Sequence, residues 1–243
     1  MRGRLYSGTS GFAYTDWTPR FYPTGVRARD FLAAYAARLD ACELNGTFYR
    51  HPSNTTIAGW LSATPESFRF AVKAQRGGSF RALMHDAAST VEWLTRPYRE
   101  FGARLGSVLF RVPEGVPRDD DRLDALLRAW PAGMPVTFEF REPSWQDDAV
   151  HARLREAGAV LCATELPDDP GPPSLLATGP YLYLRLRREA YDEGELSAWA
   201  ARVEPFLADG RDVYVFFRHD EHGDSALRAV RFAQLVESAS RRL

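Results

Sequence analysis

Eight short strand-like segments alternate with segments of helical periodicity along almost the whole chain, and this alternation restricts the possible fold more than any other feature. Between the strand candidates, apolar residues recur at helical spacing, as in Phe31, Tyr35 and Leu39. Eight β-then-α units in 243 residues match the dimensions of a (β/α)8 TIM barrel, formed as a single domain over residues 1–243. The predicted strands are Arg4–Thr9, Ala41–Asn45, Arg69–Ala74, Gly106–Val112, Pro135–Arg141, Ala159–Glu165, Tyr181–Arg187 and Asp212–Arg218.

A doubly wound open sheet is the alternative α/β fold. It usually has a glycine-rich phosphate loop after the first strand, and the segment Gly8-Thr-Ser-Gly11 does not have the G-x-G-x-x-G spacing. The barrel has one irregular unit. After the sixth strand the chain reads Leu166-Pro-Asp-Asp-Pro-Gly-Pro-Pro173, which leaves room for about one helical turn before the seventh strand. We therefore predict a degenerate sixth helix.

Lys73 is the first candidate for a functional residue. The chain has 31 basic side chains, and all except Lys73 are arginine. A lysine within a strand, in a chain that otherwise uses arginine, suggests a role that a guanidinium group cannot fill, such as an amine nucleophile or a proton donor. Chance is the competing explanation, because one basic position in the chain had to be the exception.

Strand alternation places a set of charged side chains inside the barrel. The predicted inward residues with charge are Glu43, Lys73, Glu139, Arg141 and Arg185. We expect them to form a compensated network, with Lys73 paired to Glu43 and with Glu139 shared by Arg141 and Arg185. They lie toward the carboxyl-terminal strand ends, where barrel active sites are found, although a purely structural polar plug would show the same pattern.

The predicted mouth of the barrel is rich in arginine, while the whole chain has a formal net charge of only −1. This local excess favours a small anionic ligand, a phosphate or a carboxylate, because arginine binds both in a bidentate manner. The overall balance gives no reason to expect nucleic acid or a membrane as the partner. The predicted ligand-binding residues are Tyr14, Trp17, Asn45, Tyr49, Arg141, Arg187, Arg218 and His219.

Other site types receive little support from the sequence. His219 and His222 are close together, but no second group of metal ligands accompanies them, so we predict no metal site. Cys42 and Cys162 both lie in apolar strand patterns, which is typical of reduced thiols in a cytosolic protein. We expect neither a signal peptide nor a membrane span. Gly77-Gly78 predicts a loop after the third strand, either a mobile lid over the mouth or a plain turn.

The chain resembles the domain-of-unknown-function 72 family, also called YecE-like, along nearly its whole length. The resemblance implies a TIM barrel, in agreement with the periodicity, and it implies that Glu43, Asn45, Lys73, Glu139, Arg141 and Arg185 belong to the family's mouth pattern. It supplies no reaction and no cofactor. The segments that carry it are Gly8-Thr-Ser-Gly-Phe-Ala-Tyr-Thr-Asp-Trp17, Glu43-Leu-Asn-Gly-Thr-Phe-Tyr-Arg50, Phe68-Arg-Phe-Ala-Val-Lys-Ala74, Leu109-Phe-Arg-Val-Pro113, Phe138-Glu-Phe-Arg-Glu-Pro-Ser-Trp145, Tyr183-Leu-Arg185 and Val213-Tyr-Val-Phe-Phe217.

The outer mouth departs from the family pattern. Where the family pattern looks like Leu-Phe-Gln-Leu-Pro, this chain has Arg111. Glu142 stands where a histidine is usual, and Arg187-Arg188 replace a His-Gly pair. The inner charges therefore match the family, whereas the outer layer has changed mostly toward arginine. If the family's chemistry requires the outer histidines, we expect this chain to have an altered specificity or no activity.

Three hypotheses follow from the sequence. In the first, the protein is an enzyme in which Lys73 acts as general acid-base or amine nucleophile, Glu43 or Glu139 is its proton partner, and arginines hold an anionic substrate. In the second, it is a nucleic-acid-processing barrel, by analogy of fold with apurinic endonucleases. In the third, it is a ligand-binding barrel without catalysis. Oligomeric state and pathway are not predicted.

Overall fold

Eight parallel strands close into a barrel in a computed structural model, which describes residues 1–240. Each strand pairs with the next along the chain, and β1 pairs with β8 to complete the ring. The strands are β1 (Leu5–Ser10), β2 (Ala41–Leu44), β3 (Arg69–Lys73), β4 (Leu105–Val112), β5 (Val136–Phe140), β6 (Val160–Glu165), β7 (Tyr181–Leu186) and β8 (Asp212–Phe217). The predicted TIM barrel is confirmed, and each strand lies within one residue of its predicted bounds.

Helices fill every connection between consecutive strands except the sixth. They are α1 (Phe31–Ala36), α2 (Asn54–Ser62), α3 (Arg76–Met84), α4 (Ala87–Thr95), α5 (Asp120–Ala129), α6 (Asp148–Ala157), α7 (Glu193–Ala208) and α8 (Asp224–Ser240). Residues 166–180, between β6 and β7, contain turns and extended backbone without a helix. The predicted degenerate unit is therefore confirmed, and the proline-rich sequence explains it because proline lacks the amide that a helix requires.

Strand alternation sorts the buried side chains into two separate clusters. Leu182, Leu184 and Leu186 of β7 pack toward the helices in the larger cluster. Tyr183 and Phe216 lie in the smaller cluster, which fills the barrel interior. The predicted inward and outward faces of β7 are thus confirmed.

The lower part of the barrel interior is filled by aromatic rings and neutral hydrogen bonds. Tyr6 and Tyr214 stack with their ring centroids 4.7 Å apart. The Tyr181 hydroxyl lies 2.8 Å from the hydroxyl of Ser107 and 3.2 Å from that of Thr137. These residues close the bottom of the barrel, so the charged side chains are held at its carboxyl-terminal mouth.

The segment after β3 corrects one expectation. Gly77 and Gly78 belong to α3, whose first turn is capped by Gln75, since its side-chain oxygen accepts a hydrogen bond of 2.6 Å from the Gly78 amide. A Cβ atom at Gly78 would lie 2.6 Å from the Trp93 ring. The glycine is therefore explained by the close approach of α3 and α4, and the predicted loop is wrong.

No helix within residues 1–240 is long and apolar enough to cross a membrane. The thiols of Cys42 and Cys162 are both buried and free of disulfide bonds.

Candidate active site

A buried arginine organises the mouth of the barrel. Arg185, on β7, donates a hydrogen bond of 2.8 Å from Nη2 to Oε1 of Glu43 on β2. Its Nη1 donates to both carboxylate oxygens of Glu139 on β5, at 2.8 and 2.9 Å. All three side chains are almost completely removed from water. One guanidinium group thus bridges two carboxylates from strands on different sides of the barrel.

Both carboxylate oxygens of Glu43 also accept hydrogen bonds from hydroxyl groups of other strands. The Ser10 hydroxyl donates to Oε1 at 2.6 Å, and the Tyr183 hydroxyl donates to Oε2 at 2.8 Å. Ser10 and Glu43 are register partners between β1 and β2, which explains their proximity. Arg187 in turn donates from Nη1 to the Ser10 hydroxyl at 2.6 Å.

Glu139 is satisfied in a similar way from β6 and β4. The Thr164 hydroxyl donates to Oε1 at 2.8 Å. Arg111, its register partner on β4, places Nε 3.1 Å from Oε2. Each buried carboxylate therefore has more than one donor, as an ion pair in a site of low dielectric requires.

These contacts keep both carboxylates charged. Burial alone would raise the pKa of Glu43, but the positive charges of Arg185 and Arg187 outweigh it and lower that pKa to about 2. Burial likewise opposes ionisation of Glu139, and Arg185 and Arg111 hold its pKa below the usual value. Neither carboxyl group exchanges protons near neutral pH.

Lys73 has a different environment. Within residues 1–240, no hydrogen bond or ion pair reaches its ammonium group, and Nζ lies 4.1 Å from the centre of the Phe48 ring. Burial, together with the charges of Arg185 and Arg111, lowers the pKa of Lys73 to about 8, although Glu43 and Glu139 oppose this shift. Lys73 is thus a half-buried amine poised between its charged and neutral forms near physiological pH.

Two predicted ion pairs are wrong. Glu43 pairs with Arg185 instead of Lys73, because the planar guanidinium can span both carboxylates whereas an ammonium group cannot. Arg141 does not reach Glu139: it follows the end of β5, and its Nη2 lies 3.5 Å from Oε1 of the exposed Glu114. Arg111 takes the place that was predicted for Arg141.

The cluster has more positive than negative groups. Lys73, Arg111, Arg185 and Arg187 are the cations, and Glu43 and Glu139 are the anions. Burial and the nearby Arg185 lower the pKa of Arg187 to about 10, so this side chain is still charged at pH 7. These six residues therefore carry a net positive charge in a chain that is nearly neutral overall.

The pKa of Lys73 can be measured directly, because the chain has no other lysine. Reductive methylation with 13C-formaldehyde labels only Lys73 and the terminal amine, and we expect the Lys73 resonance to titrate with a half-point near pH 8. The resonance that is absent from the spectrum of Lys73→Met is the one that belongs to Lys73. Since the folded pKa lies below the ordinary 10.5, the wild type should gain stability relative to Lys73→Met as the pH rises from about 8. A half-point near 10.5 would contradict this environment.

Two cavities open at the mouth, and the first is mostly apolar. It has a volume of about 760 Å³ and lies between the segments that follow β2, β3 and β4. Its residues, which define the apolar cavity, are Phe48, Tyr49, Gln75, Arg76, Gly77, Ser79, Phe80, Leu83, Met84, Phe110, Arg111, Val112, Pro113 and Val116. The predicted binding residue Tyr49 lies on its rim and is 77% exposed.

The second cavity, of about 700 Å³, is polar and lies beside the ends of β1, β7 and β8. Of the predicted binding residues, it contains Tyr14, Arg218 and His219; the rest of its lining, which completes the polar cavity, is Ala13, Thr15, Asp16, Glu189, Asp220, Glu221 and His222. The rings of Tyr14 and His219 stack at 5.1 Å. Burial raises the pKa of Tyr14 to about 12, while a hydrogen bond with Asn45 opposes the rise, so Asn45 lies against the same phenol.

Trp17 is the binding residue that the structure removes from the site. It is 0% exposed, packs against Phe21 and Tyr22, and donates its indole N–H to the Asp220 carbonyl at 2.8 Å. A side chain without accessible surface cannot contact a ligand. Its place is in the core beneath the β1 and β8 loops.

Sequence reasoning missed three members of the cluster as site residues. Ser10 and Thr164 were detectable, because each lies on the inward side near the carboxyl end of its strand, but a short neutral side chain carries no charge that would mark it as a site residue. Arg111 was predicted at the mouth of the barrel, in its outer layer, but not as a member of the inner charge network. Its register with Glu139 is what makes it part of the network.

Within residues 1–240, no group of three or more His, Cys, Asp or Glu side chains could hold a metal ion.

Comparison with known proteins gives a consistent family match. Residues 6–243 match the family described as "Protein of unknown function DUF72". The chain is 23% identical to the UPF0759 protein YunF of Bacillus subtilis, over 96% of this chain and 95% of that protein. A DUF72 family protein from Thermotoga maritima superposes with a TM-score of 0.83 at 28% identity, covering 96% and 99% of the two chains. One from Enterococcus faecalis gives 0.80 at 20% identity, covering 96% and 95%.

Proposed function

This chain belongs to the family described as "Protein of unknown function DUF72", and we propose that it is an enzyme acting on a small anionic molecule at the mouth of the barrel. The ligand carries a phosphate or a carboxylate. The observation behind the proposal is that the cluster around Arg185 contains four cations, Lys73, Arg111, Arg185 and Arg187, and only two carboxylates, Glu43 and Glu139.

The charge excess favours an anion for an electrostatic reason. Arg185 is neutralised by Glu43 and Glu139, whereas Lys73 has no carboxylate within bonding distance in residues 1–240. Like charges held together in a medium of reduced dielectric repel one another more strongly than they would in water. An anion bound beside Lys73 and Arg111 relieves that repulsion and accepts their hydrogen bonds.

Lys73 is the group that moves protons in this proposal. A pKa of about 8 gives it substantial amounts of both protonation states near neutral pH, which general acid-base catalysis requires. Glu43 and Glu139 have lowered pKa values and are occupied by Arg185. Together with Arg185 they act as positioning residues that set the electrostatic potential at Lys73, and not as its proton partners.

Binding is tested with inorganic phosphate and with panels of phosphorylated and carboxylated metabolites, using calorimetry on the wild type and Lys73→Met. Loss of a hydrogen bond from a charged donor costs about 1.5–3 kcal/mol, so we expect affinity to fall roughly 10- to 100-fold in the variant. Affinity for the wild type should also decrease as the pH rises through about 8, because Lys73 loses its charge. Arg155→Met is the control, since it removes one positive charge from the exposed face of α6.

The outcomes separate the hypotheses. Equal binding by wild type and Lys73→Met, or binding of a single-stranded oligonucleotide without any small anion, would contradict the proposal. Once a ligand is found, prolonged incubation followed by mass spectrometry tests for turnover. Binding to Lys73 without any product would mean that the barrel binds its ligand without catalysis.

A further inference from the structure

The apolar cavity leaves large hydrophobic side chains uncovered beside a charged site. Tyr49 is 77% exposed and Phe80 is 50% exposed, and both lie on its rim. Leu83 and Met84 contribute further apolar surface within it. Large apolar side chains that converge on a concave surface are characteristic of ligand sites in soluble proteins.

The cavity is continuous with the cation cluster through two shared residues. One is Phe48, which lines the cavity and has the Lys73 ammonium group 4.1 Å from its ring centre. The other is Arg111, which lines the cavity while its Nε lies 3.1 Å from Glu139. Within residues 1–240, the buried Nε of Arg111 has no hydrogen-bond partner, so this guanidinium group retains donor capacity for an anion.

The two cavities differ in their charge. The apolar cavity has Arg76 and Arg111 in its lining and no carboxylate. The polar cavity includes four carboxylates, from Asp16, Glu189, Asp220 and Glu221. An anion with an apolar portion is therefore complementary to the apolar cavity and is disfavoured in the polar one.

We infer that the ligand of this site is an amphipathic anion, a carboxylate or phosphate attached to an extended hydrocarbon or aromatic body. Its charged end lies beside Lys73 and Arg111, and its body lies in the apolar cavity against Phe48 and Phe80. This inference rests on the proposed function and adds the class of substrate to it. A cavity of about 760 Å³ accommodates a body considerably larger than the charged group itself.

A homologous series of straight-chain carboxylates, from butanoate through hexanoate to octanoate, tests the inference by calorimetry. We expect affinity to increase about three- to fourfold for each added methylene, the ratio equivalent to about 0.8 kcal/mol per buried CH2. Phe80→Ser should flatten this increase. Trp93→Ser is the matched control, because Trp93 is 51% exposed on α4 and lies outside the apolar cavity. Lys73→Met should weaken all three carboxylates by a similar factor.

Each result bears on one of the two proposals. If butanoate, glycerate and octanoate bind with the same affinity and all weaken in Lys73→Met, the inference is overturned and the anion site remains. A chain-length effect that is equal in Phe80→Ser and Trp93→Ser would likewise overturn it. If glycerol phosphate binds more tightly than octyl phosphate, the site prefers a ligand with a polar body and the inference is overturned. If no carboxylate or phosphate binds at all, both proposals are wrong.

Discussion

Replacing Arg185 by methionine should lower the free energy of unfolding by about 3–5 kcal/mol, which is a large fraction of the stability of an ordinary domain. The substitution removes the donor that Glu43 and Glu139 share and leaves two buried carboxylates with insufficient compensation. Methionine has a similar length, so the loss reflects charge more than volume. Urea denaturation of the wild type and the variant at pH 7 measures the difference.

The pH dependence of this loss has a definite sign. In the wild type, the lowered pKa values of Glu43 and Glu139 contribute stability that is present above about pH 4.5, the ordinary pKa of the carboxyl group, and is lost on acidification. The part from Glu43 is lost as the pH falls toward 2. Without Arg185 the same carboxylates cost stability when charged. The difference between the two proteins should therefore be largest at neutral pH and should shrink on acidification.

Arg218→Met is the control for Arg185→Met. Arg218 lies at the same mouth, but its side chain is partly exposed and its nearest carboxylate oxygen, from Glu189, is 3.8 Å away. We expect a change below about 1 kcal/mol. Equal losses in the two variants would contradict the bridging role of Arg185.

Replacing Trp17 by alanine should lower the free energy of unfolding by about 3–5 kcal/mol without weakening anion binding. The ring is completely buried against Phe21 and Tyr22, and its truncation leaves a cavity as well as an unpaired carbonyl at Asp220. Thermal denaturation monitors the loss. Trp17→Phe keeps most of the packing and should recover a large part of the stability, which provides a folded variant for binding measurements.

Tyr49→Ala should leave the free energy of unfolding almost unchanged, although Tyr49, like Trp17, is an aromatic residue predicted to bind the ligand. Its side chain is mostly exposed, so the change in stability should stay within about 0.5 kcal/mol. A loss of anion affinity in Trp17→Phe, at unchanged stability, would restore Trp17 to the site.

The fold was predictable because strand alternation and helical spacing are local properties. The inward positions of Tyr183, Arg185 and Glu43 follow from the period of two along each strand, and the structure places them there. Gly78 was misassigned because glycine in a helix and glycine in a loop look alike in sequence. The requirement for glycine at position 78 comes from the ring of Trp93, which packs against it from α4. A contact between two helices cannot be read from the sequence of either one.

The pairing within the site was less predictable than its membership. Neighbouring strands suggested Lys73 for Glu43, whereas Arg185 reaches across the barrel from β7. Side-chain length and the planarity of the guanidinium group decide that choice, and strand order does not. Trp17 was misplaced for a related reason, since loop residues at the mouth can point into the core as readily as toward a ligand.

The bridge made by Arg185 also affects the order in which this chain can mature. Glu43 and Arg185 are separated by 142 positions, and Glu139 precedes Arg185 by 46. A growing polypeptide therefore contains both carboxylates well before their common partner has been synthesised. An incomplete barrel that buried Glu43 and Glu139 before Arg185 was in place would contain two carboxylate charges without their shared partner. Such an intermediate is less costly in free energy when water still reaches the carboxyl-terminal mouth of the barrel. We therefore expect the site to exclude water only when β7 and β8 complete the ring.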